Sequence, residues 1–399
     1  MSEAPWVTII GLGEDGLNGL PPASQSALSA AEIVMGPPRH LALLGSLPCQ
    51  TIEWPVPFAD GIDMLLGLRG RQVVVLASGD PFWFGAGATL ARHLADGEWI
   101  SLPAPSTFSQ VANRMGWSLE KTPCFGLHAA PLTRLRPSLA QGAKMIVLLR
   151  DGPAVEALCS YLAHETFGAA TLTVFEALGG PRECVTTFKA DAGVPKPFTH
   201  PVCVAVDIAG EGQAMPLASG RADEWFESDG QMTKRPVRAM TLSALAPRPF
   251  EHLWDIGGGS GSIAIEWLLS HISLRATCVE PRADRAARIK SNAERLGVDR
   301  LKTITGHAPE ALKNLQDPQA VFIGGGLSHE LLDWLQSNLS SGTRLVANAV
   351  TLESEALVLG AQTRLGGELL RLDLSRSEPL GPRRGWKASY PIVQWSVTL

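Results

Sequence analysis

The sequence has no long apolar run and no surplus of basic residues. Its longest apolar runs, among them Val73 to Ala77 and Met145 to Leu149, are far shorter than the roughly 20 residues that a membrane-spanning helix needs. The formal net charge of -5 over 399 residues provides no basic footprint for nucleic acid. The first five residues lead directly into a strand-like segment, which argues against a signal peptide. We therefore expect a cytoplasmic protein that binds neither membrane nor nucleic acid.

Cysteine is also sparse, and its spacing matches no disulfide or metal-binding motif. The six cysteines are scattered, with no C-x-x-C pair and no partnering histidines: Cys49, Cys124, Cys159, Cys184, Cys203 and Cys278. Free cysteines of this kind are usually buried, reduced thiols. The sequence predicts neither a disulfide framework nor a metal site.

A glycine-rich turn in the carboxyl half is the most informative segment. An apolar run ends at Asp255, alternating glycines follow at Gly257, Gly259 and Gly261, and an apolar helical pattern begins at once. This strand, turn and helix N-terminus are typical of a doubly wound α/β domain that binds a nucleotide-like ligand. The next apolar run ends at Glu280, whose carboxylate would accept both hydroxyl hydrogens of a ribose.

Two details favour S-adenosyl-L-methionine over a dinucleotide at this turn. Dinucleotide folds usually place the first glycine directly after the apolar strand, whereas here Asp255 comes first. A pyrophosphate gains from bare helix N–H groups, but a cationic methionine moiety gains from a nearby carboxylate such as Asp255. Ala308 follows the third strand, where the backbone often contacts adenine. Gly324 follows the fourth, where glycines leave room for a large acceptor but could equally serve a tight turn.

The chain divides at residues 209–229, a stretch of small, polar and breaker residues without apolar periodicity. Strand-like and helical patterns alternate on both sides of it, which predicts parallel sheets with ligands at the carboxyl ends of strands. The final strand-like runs, 368–374 and 390–397, have no helical pattern between them, like the antiparallel end of a seven-stranded methyltransferase sheet. We therefore predict an α/β protein with domains at 1–208 and 230–399.

The amino half carries weaker signals of the same kind. Gly11 and Gly13 follow one strand-like run, and Ser78-Gly79-Asp80 follows another, so that small residues and exposed backbone lie at the mouth of a cleft. Asp80 could equally cap the following helix. Arg39 and His40 add a cation and a titratable imidazole on a turn.

Both halves resemble methyltransferase families of the cobalamin pathway. The carboxyl half is similar to the Rossmann-like enzymes that act at C15, in the segments Met232 to Leu242, Phe322 to Gly326 and Ala347 to Glu353. The amino half resembles the tetrapyrrole methylase fold, above all the member acting at C5, in Gly11 to Gly16, Arg39 to Leu41, Ser78 to Pro81, Pro105 to Ser109 and Phe175 to Gly180. The similarity covers residues 5–208 and 230–399.

The resemblance implies methylation of C5 and C15 of precorrin-6B, or of its cobalt form, with loss of the ring C acetate carboxyl group to give precorrin-8X. It implies S-adenosyl-L-methionine as cofactor and a homo-oligomer. The expected cofactor contacts are Gly11, Gly13, Ser78, Gly79, Asp80, Ser106 and Thr107 in the amino half, and Asp255, Gly257, Gly259, Gly261, Glu280, Ala308 and Gly324 in the carboxyl half.

The substrate of such an enzyme carries many carboxylates, which arginine and lysine would bind. The candidates are Arg39, Arg114, Lys234, Arg235, Arg238, Arg383 and Arg384. Each could equally be a solvated surface charge. His40 is the one candidate for proton transfer. We expect no catalytic triad, because methyl transfer is an in-line displacement that depends mainly on alignment.

Three alternatives remain at this point. A methyltransferase could instead act on RNA or on a protein side chain, but the acidic balance and the absence of an Asn/Asp-Pro-Pro-aromatic element after Phe322 count against RNA, and the pairing of two methylase folds counts further against this alternative. A nicotinamide-dependent oxidoreductase would use the glycine turns to bind phosphates and would not bind S-adenosylhomocysteine. A non-catalytic cofactor-binding protein would tolerate a bulky residue at Gly259.

Overall fold

A computed structural model describes residues 5–399, which form two compact units. The first contains residues 5–132 and 140–213, and the second contains 133–139 and 214–399. Most of the predicted linker therefore belongs to the second unit, where Met215, Trp225 and Phe226 are buried in the core. These apolar side chains have no helical or strand spacing in the sequence, so their burial could not be read from periodicity.

The first unit begins with a five-stranded parallel sheet in the order β3-β2-β4-β1-β5. Its strands are β1 (Val7–Leu12), β2 (Ile33–Gly36), β3 (Gln50–Glu53), β4 (Val73–Ser78) and β5 (Trp99–Leu102), and its helices are α1 (Pro22–Ala30), α2 (Pro38–Leu44), α3 (Asp60–Leu66) and α4 (Gly87–Leu90). Leu12 and Ser78 are register partners at the carboxyl ends of β1 and β4. The loops after these two strands are therefore neighbours.

The second sheet of this unit is mixed rather than parallel. Its strands are β6 (Cys124–Gly126), β7 (Lys144–Leu149), β8 (Thr171–Glu176), β9 (Cys184–Lys189) and β10 (Val202–Asp207), with helices α5 (Thr107–Met115) and α6 (Pro153–His164). In the order β6-β7-β10-β8-β9 only the first pair is parallel. The prediction of a parallel sheet is wrong here, because short loops without a crossover helix join β8 to β9, and such connections give antiparallel pairs.

The second unit has a seven-stranded sheet in the order β13-β12-β11-β14-β15-β19-β16. The seven strands are β11 (His252–Ile256), β12 (Arg275–Glu280), β13 (Lys302–Thr305), β14 (Ala320–Ile323), β15 (Arg344–Ala349), β16 (Glu368–Leu372) and β19 (Ile392–Thr398). Two further strands, β17 (Ser375–Leu380) and β18 (Arg383–Ala388), form a separate hairpin. The first five are parallel, and β19 is antiparallel to both of its neighbours, β15 and β16. The predicted α/β fold with an antiparallel end is confirmed.

Helices cover both faces of this sheet: α7 (Arg235–Leu245), α8 (Ser262–Ser270), α9 (Ala283–Arg295), α10 (His329–Asn338) and α11 (Leu352–Leu365). Trp267 and Ile289 pack in one apolar cluster, and Leu335 and Val358 in the other. The strand order reverses between β11 and β14, which is where ligands bind in sheets of this kind. The hairpin of β17 and β18 lies between the two strand-like runs 368–374 and 390–397, and the sequence did not predict it.

Within residues 5–399, no helix has the length and apolarity that crossing a bilayer would require.

All six cysteines are free thiols, and Cys159, Cys203 and Cys278 are buried. Burial raises the pKa of the Cys159 thiol to about 11, so this thiol is protonated near neutral pH. Cys184 is exposed, however, so the prediction of buried thiols is wrong for it. It lies at the start of β9, on the edge of the second sheet, where one face meets solvent.

Candidate active sites

The first unit contains a cavity of about 330 Å³ at the carboxyl ends of β1 and β4. Six of the predicted cofactor residues line it: Gly13, Ser78, Gly79, Asp80, Ser106 and Thr107. Gly11 lies behind this surface, where a Cβ would come within 1.8 Å of the Gly79 carbonyl oxygen. Gly11 therefore allows the close approach of two loops instead of contacting a ligand.

Backbone geometry explains the small residues of this cavity. Gly79 has a φ of +52°, which side chains rarely adopt, and its N–H donates to the Leu12 carbonyl. Ser106 caps α5, because its Oγ accepts the Ser109 N–H at 3.0 Å. Asp80 accepts the Phe82 N–H at 2.8 Å and so stabilises its own loop. It does not cap α4, which begins seven residues later at Gly87.

A charged cluster forms one wall of the first cavity. The buried Glu14 carboxylate pairs with Arg39 and, at 3.2 Å, with Arg182. His40 Nε2 lies 2.8 Å from Arg39 Nη2 and 3.0 Å from Ser78 Oγ. Glu14 and Arg182 were not predicted, although the acid directly after the Gly11 to Gly13 turn could have indicated the first of them.

The imidazole in this cluster is neutral. Burial, followed by the nearby Arg39 guanidinium, lowers the pKa of His40 to about 3. A general base works best when its pKa is near the operating pH, so this environment does not suit proton transfer. The predicted catalytic role of His40 stays a prediction, and its contacts favour a role in orienting Arg39 and Ser78.

If Arg39 binds a substrate carboxylate, as the resemblance implies, Arg39→Lys should lower kcat/KM for the methylation expected at C5 about 10- to 100-fold, since lysine cannot keep both a forked contact to that carboxylate and the bond to Glu14. Arg114 is a matched control, because it pairs with Glu183 at 3.0 Å and does not line the cavity. Arg114→Lys should stay within about twofold of wild type. Steady-state kinetics on both variants compare them, and equal losses would contradict a substrate contact by Arg39.

A second cavity, of about 690 Å³, lies at the carboxyl ends of β11, β12 and β14 in the second unit. The predicted residues Gly257, Gly259, Glu280, Ala308 and Gly324 all line it. The Gly259 N–H donates to Glu280 Oε2 at 2.9 Å, which joins the glycine turn to the acidic strand end. A Cβ on Gly257 would lie 2.7 Å from the backbone of Gly325, so two glycine segments meet here.

Two predicted residues of the turn support it from behind. Gly261 has a φ of +75° and precedes α8 as its N-cap. Asp255 is 1 % exposed, and its Oδ2 accepts the Ala264 N–H at 3.1 Å in the first turn of α8. The expectation that Asp255 contacts the sulfonium is not supported, because its side chain points under the turn and is absent from the cavity wall.

The environment of Asp255 predicts that the stability of the second unit depends on pH. Burial, with a smaller contribution from Glu280, raises the pKa of Asp255 to about 7, and no residue within 5–399 hydrogen-bonds its Oδ1. Because the folded pKa exceeds the unfolded one, the folded state loses stability as pH rises from about 4 through about 7, by at most about 4 kcal/mol. Asp255→Asn should flatten this loss between pH 5 and pH 8, as thermal unfolding would reveal. An unchanged pH slope would contradict the assignment.

The predicted substrate cations divide into three groups. Arg39 and Lys234 line the first and second cavity respectively. Arg114, Arg235, Arg383 and Arg384 lie on the surface outside both cavities. Arg238 is fully buried and pairs with Glu266 at 2.7 Å and with Asp223 at 3.2 Å, so its prediction as a substrate contact is wrong.

Helix geometry accounts for the error at Arg238, because it lies one residue after Val237 on the inner face of α7. Arg285, which was not predicted, lines the second cavity and is bound to Asp229 at 2.8 Å. Its position in an ordinary amphipathic helix gave no signal in the sequence.

Comparison with known proteins gives two family matches, one in each half of the chain. Residues 7–192 match the model of tetrapyrrole (corrin/porphyrin) methylases, and residues 224–399 match that of a precorrin methyltransferase domain. Precorrin-6Y C(5,15)-methyltransferase [decarboxylating] of Sinorhizobium sp is 47% identical over 400 residues, covering 99% of this chain and 97% of that protein. The chain belongs to this family. It is a C-methyltransferase that uses S-adenosyl-L-methionine, as the resemblance implied.

Other relatives of this methyltransferase carry related names. The Mycobacterium tuberculosis (strain ATCC 25618 / H37Rv) protein of the same name is 37% identical over 98% of this chain and 99% of its own. Cobalt-precorrin-6B C(15)-methyltransferase (decarboxylating) of Salmonella typhimurium is 32% identical over 40% of this chain and 85% of its own. The crystal structure of the C-terminal domain of the Rhodobacter capsulatus precorrin-6Y enzyme is 53% identical, covers 46% of this chain and all of that domain, and has a TM-score of 0.45.

Proposed function

We propose that this chain methylates C5 and C15 of precorrin-6B, or of its cobalt form, and removes the ring C acetate carboxyl group as CO₂ to give precorrin-8X. The first unit acts at C5, and the second acts at C15 and decarboxylates. The observation that carries the proposal is a pair of separate cavities, each at the carboxyl ends of parallel strands and each bordered by a glycine-rich turn. The high identity to a two-step enzyme over nearly all of both chains supports it.

The residues of both cavities fit S-adenosyl-L-methionine. Glu280 presents a buried carboxylate for a diol beside Gly257 and Gly259, whose missing side chains leave the turn open. In the first unit, Gly13 and Gly79 leave a similar opening between the loops after β1 and β4. The cofactor supplies the methyl group of an in-line displacement, and the chain supplies alignment and an environment poor in water.

The other walls suit a flat, conjugated acceptor that carries acids. Trp54, Phe58, Trp83 and Phe84 line the first cavity and offer aromatic faces to a macrocycle, while Arg39 offers charge-assisted bonds to a carboxylate. In the second cavity, Phe322, Val350 and Ile392 provide the apolar surface and Lys234 a cation. The substrate supplies its own electron sink for decarboxylation.

The test is to incubate the full chain with S-adenosyl-L-methionine and precorrin-6B and to weigh the product by mass spectrometry. We expect a gain of two methyl groups, a loss of one CO₂ and two molecules of S-adenosylhomocysteine per macrocycle. Refusal of both precorrin-6B and its cobalt form, with S-adenosylhomocysteine still bound, would shift the function to RNA or protein acceptors. Binding of a nicotinamide dinucleotide without S-adenosylhomocysteine would favour the oxidoreductase.

We also infer, from the resemblance alone, that the protein works as a homo-oligomer in the cytoplasm without nucleic acid. Light scattering on the purified chain tests the first point, and fractionation of cells that produce it tests the second.

A further inference from the structure

A buried polar network borders the second cavity on the side of β15. Asn348 Nδ2 donates to Thr241 Oγ1 at 2.9 Å, and Gln394 Nε2 donates to Thr241 Oγ1 at 3.0 Å and to Asn348 Oδ1 at 2.9 Å. Thr241 is 0% exposed and Gln394 is 3% exposed. Asn348 is half-buried and lines the cavity together with Val350 and Ile392.

The network comes from three elements that meet only in the folded chain. Asn348 and Gln394 are register partners across the antiparallel pair of β15 and β19, and Thr241 lies on the inner face of α7. Buried amides and hydroxyls cost stability unless every group is satisfied, so a network of this kind fixes the orientation of its members. The Asn348 amide is held at its oxygen by Gln394 and at one N–H by Thr241.

One N–H of the Asn348 amide has no hydrogen-bond acceptor within residues 5–399. An asparagine amide has two N–H donors, and residues 5–399 take up one of those of Asn348. Asn348 lines the cavity, and its Oδ1 and first N–H are fixed by buried partners, which leaves the second N–H as the group of this amide that can serve a ligand there. The cavity therefore contains an oriented, neutral donor on an otherwise apolar wall.

We propose that Asn348 is a substrate-positioning residue, whose free amide N–H binds the carboxylate that the second unit removes as CO₂. This inference rests on the proposed function. In the step, the bond between the acetate methylene carbon and the carboxylate carbon breaks and CO₂ leaves. The electron pair stays on the methylene carbon, is delocalised into the conjugated macrocycle, and takes up a proton from water to complete a methyl group.

A neutral donor suits this step better than a cation. The carboxylate loses its charge as the bond breaks, so a strong ion pair would stabilise the starting state more than the transition state. An amide holds the acid in position with a weaker stabilisation of its charge. Lys234 and Arg285, the cations of this cavity, are then available to carboxylates that the enzyme keeps, although Arg285 is already paired with Asp229.

The test compares Asn348→Leu and Asn348→Asp with wild type in the full chain, using S-adenosyl-L-methionine and precorrin-6B. We expect CO₂ release to fall about 10- to 100-fold in Asn348→Leu, the effect of losing one hydrogen bond to a charged group. Asn348→Asp keeps the shape of the side chain but repels a carboxylate, so it should lose at least as much. Affinity for S-adenosylhomocysteine should stay within about twofold of wild type, since the proposed contact is to the substrate.

Asn338→Leu is the matched control, because Asn338 is exposed near the end of α10 and donates to the Trp334 carbonyl. It should leave CO₂ release unchanged. Wild-type rates in both Asn348 variants would overturn the inference, and so would a parallel loss of S-adenosylhomocysteine binding, which indicates a purely structural role. Absence of CO₂ release from the wild type itself would instead refute the proposed function.

Discussion

Gly259→Val is expected to lower formation of the doubly methylated, decarboxylated product by at least about 100-fold, since small displacements of an aligned cofactor cost that much. Gly259 has a φ of +59°, where a β-branched side chain is strained. Its N–H also donates to Glu280, and its Cα borders the second cavity. An added Cβ would lie 3.4 Å from the carbonyl oxygen of Gln231, another residue of the cavity wall, so valine would narrow the cavity. Mass spectrometry of the product should show a carboxyl group that is retained, with no methyl group at C15.

Backbone strain alone must be separated from obstruction of the cavity. Gly342 offers the comparison, because it has a φ of +93°, belongs to the same unit and has no atom within 4 Å of an added Cβ. Gly342→Val should therefore cost stability but preserve methylation at C15. Equal loss of activity in both variants would show that the second unit is simply intolerant of strain.

Gly79→Val is expected to lower methylation at C5 by a factor similar to the one that Gly259→Val causes at C15. Gly79 lines the first cavity with a φ of +52°, and a Cβ there would lie 3.0 Å from Ser106 Cα and 3.1 Å from the Pro105 carbonyl oxygen. Valine would push apart the loops after β4 and β5 and narrow the space left for the cofactor. The rate of methylation at C5 should fall by at least about 100-fold, because a misaligned cofactor reacts that much more slowly.

The control for this variant is Gly45→Val. Gly45 ends α2 with a φ of +67°, and no atom lies within 4 Å of an added Cβ. Methylation at C5 should survive this substitution when product is assayed by the position of labelled methyl groups. Survival in Gly79→Val as well would mean that the first cavity does not hold the cofactor.

The carboxyl half was the easier part to predict from sequence. The alternation of strands and helices gave the parallel order, and an apolar run that ends in an acid located Glu280 at the cavity. A residue at the carboxyl end of a strand in this fold lies at the edge of the sheet where ligands bind, because the carboxyl ends of parallel strands share that edge. For the same reason Ser78 and Gly79 were placed at the first cavity.

Side-chain direction and antiparallel pairing were harder to predict. Asp255 and Gly261 belong to the glycine motif, but both support the turn from behind because successive residues of a tight turn face different ways. In the sequence, Arg238 could not be distinguished from the nearby cations Lys234 and Arg235. In the structure it lies on the buried face of its helix and pairs with Glu266. The hairpin of β17 and β18 has no apolar alternation, so nothing in its sequence marked it as strand.

The most direct test of two separable activities is to mix Gly79→Val and Gly259→Val in one reaction with S-adenosyl-L-methionine and precorrin-6B. Each variant keeps intact the cavity that is altered in the other. An intermediate that one variant releases can therefore be methylated by the other, whichever step comes first. We predict that the mixture forms the doubly methylated, decarboxylated product well above the level of either variant alone. A mixture that forms no more than the variants do separately would contradict the assignment of one methylation to each unit.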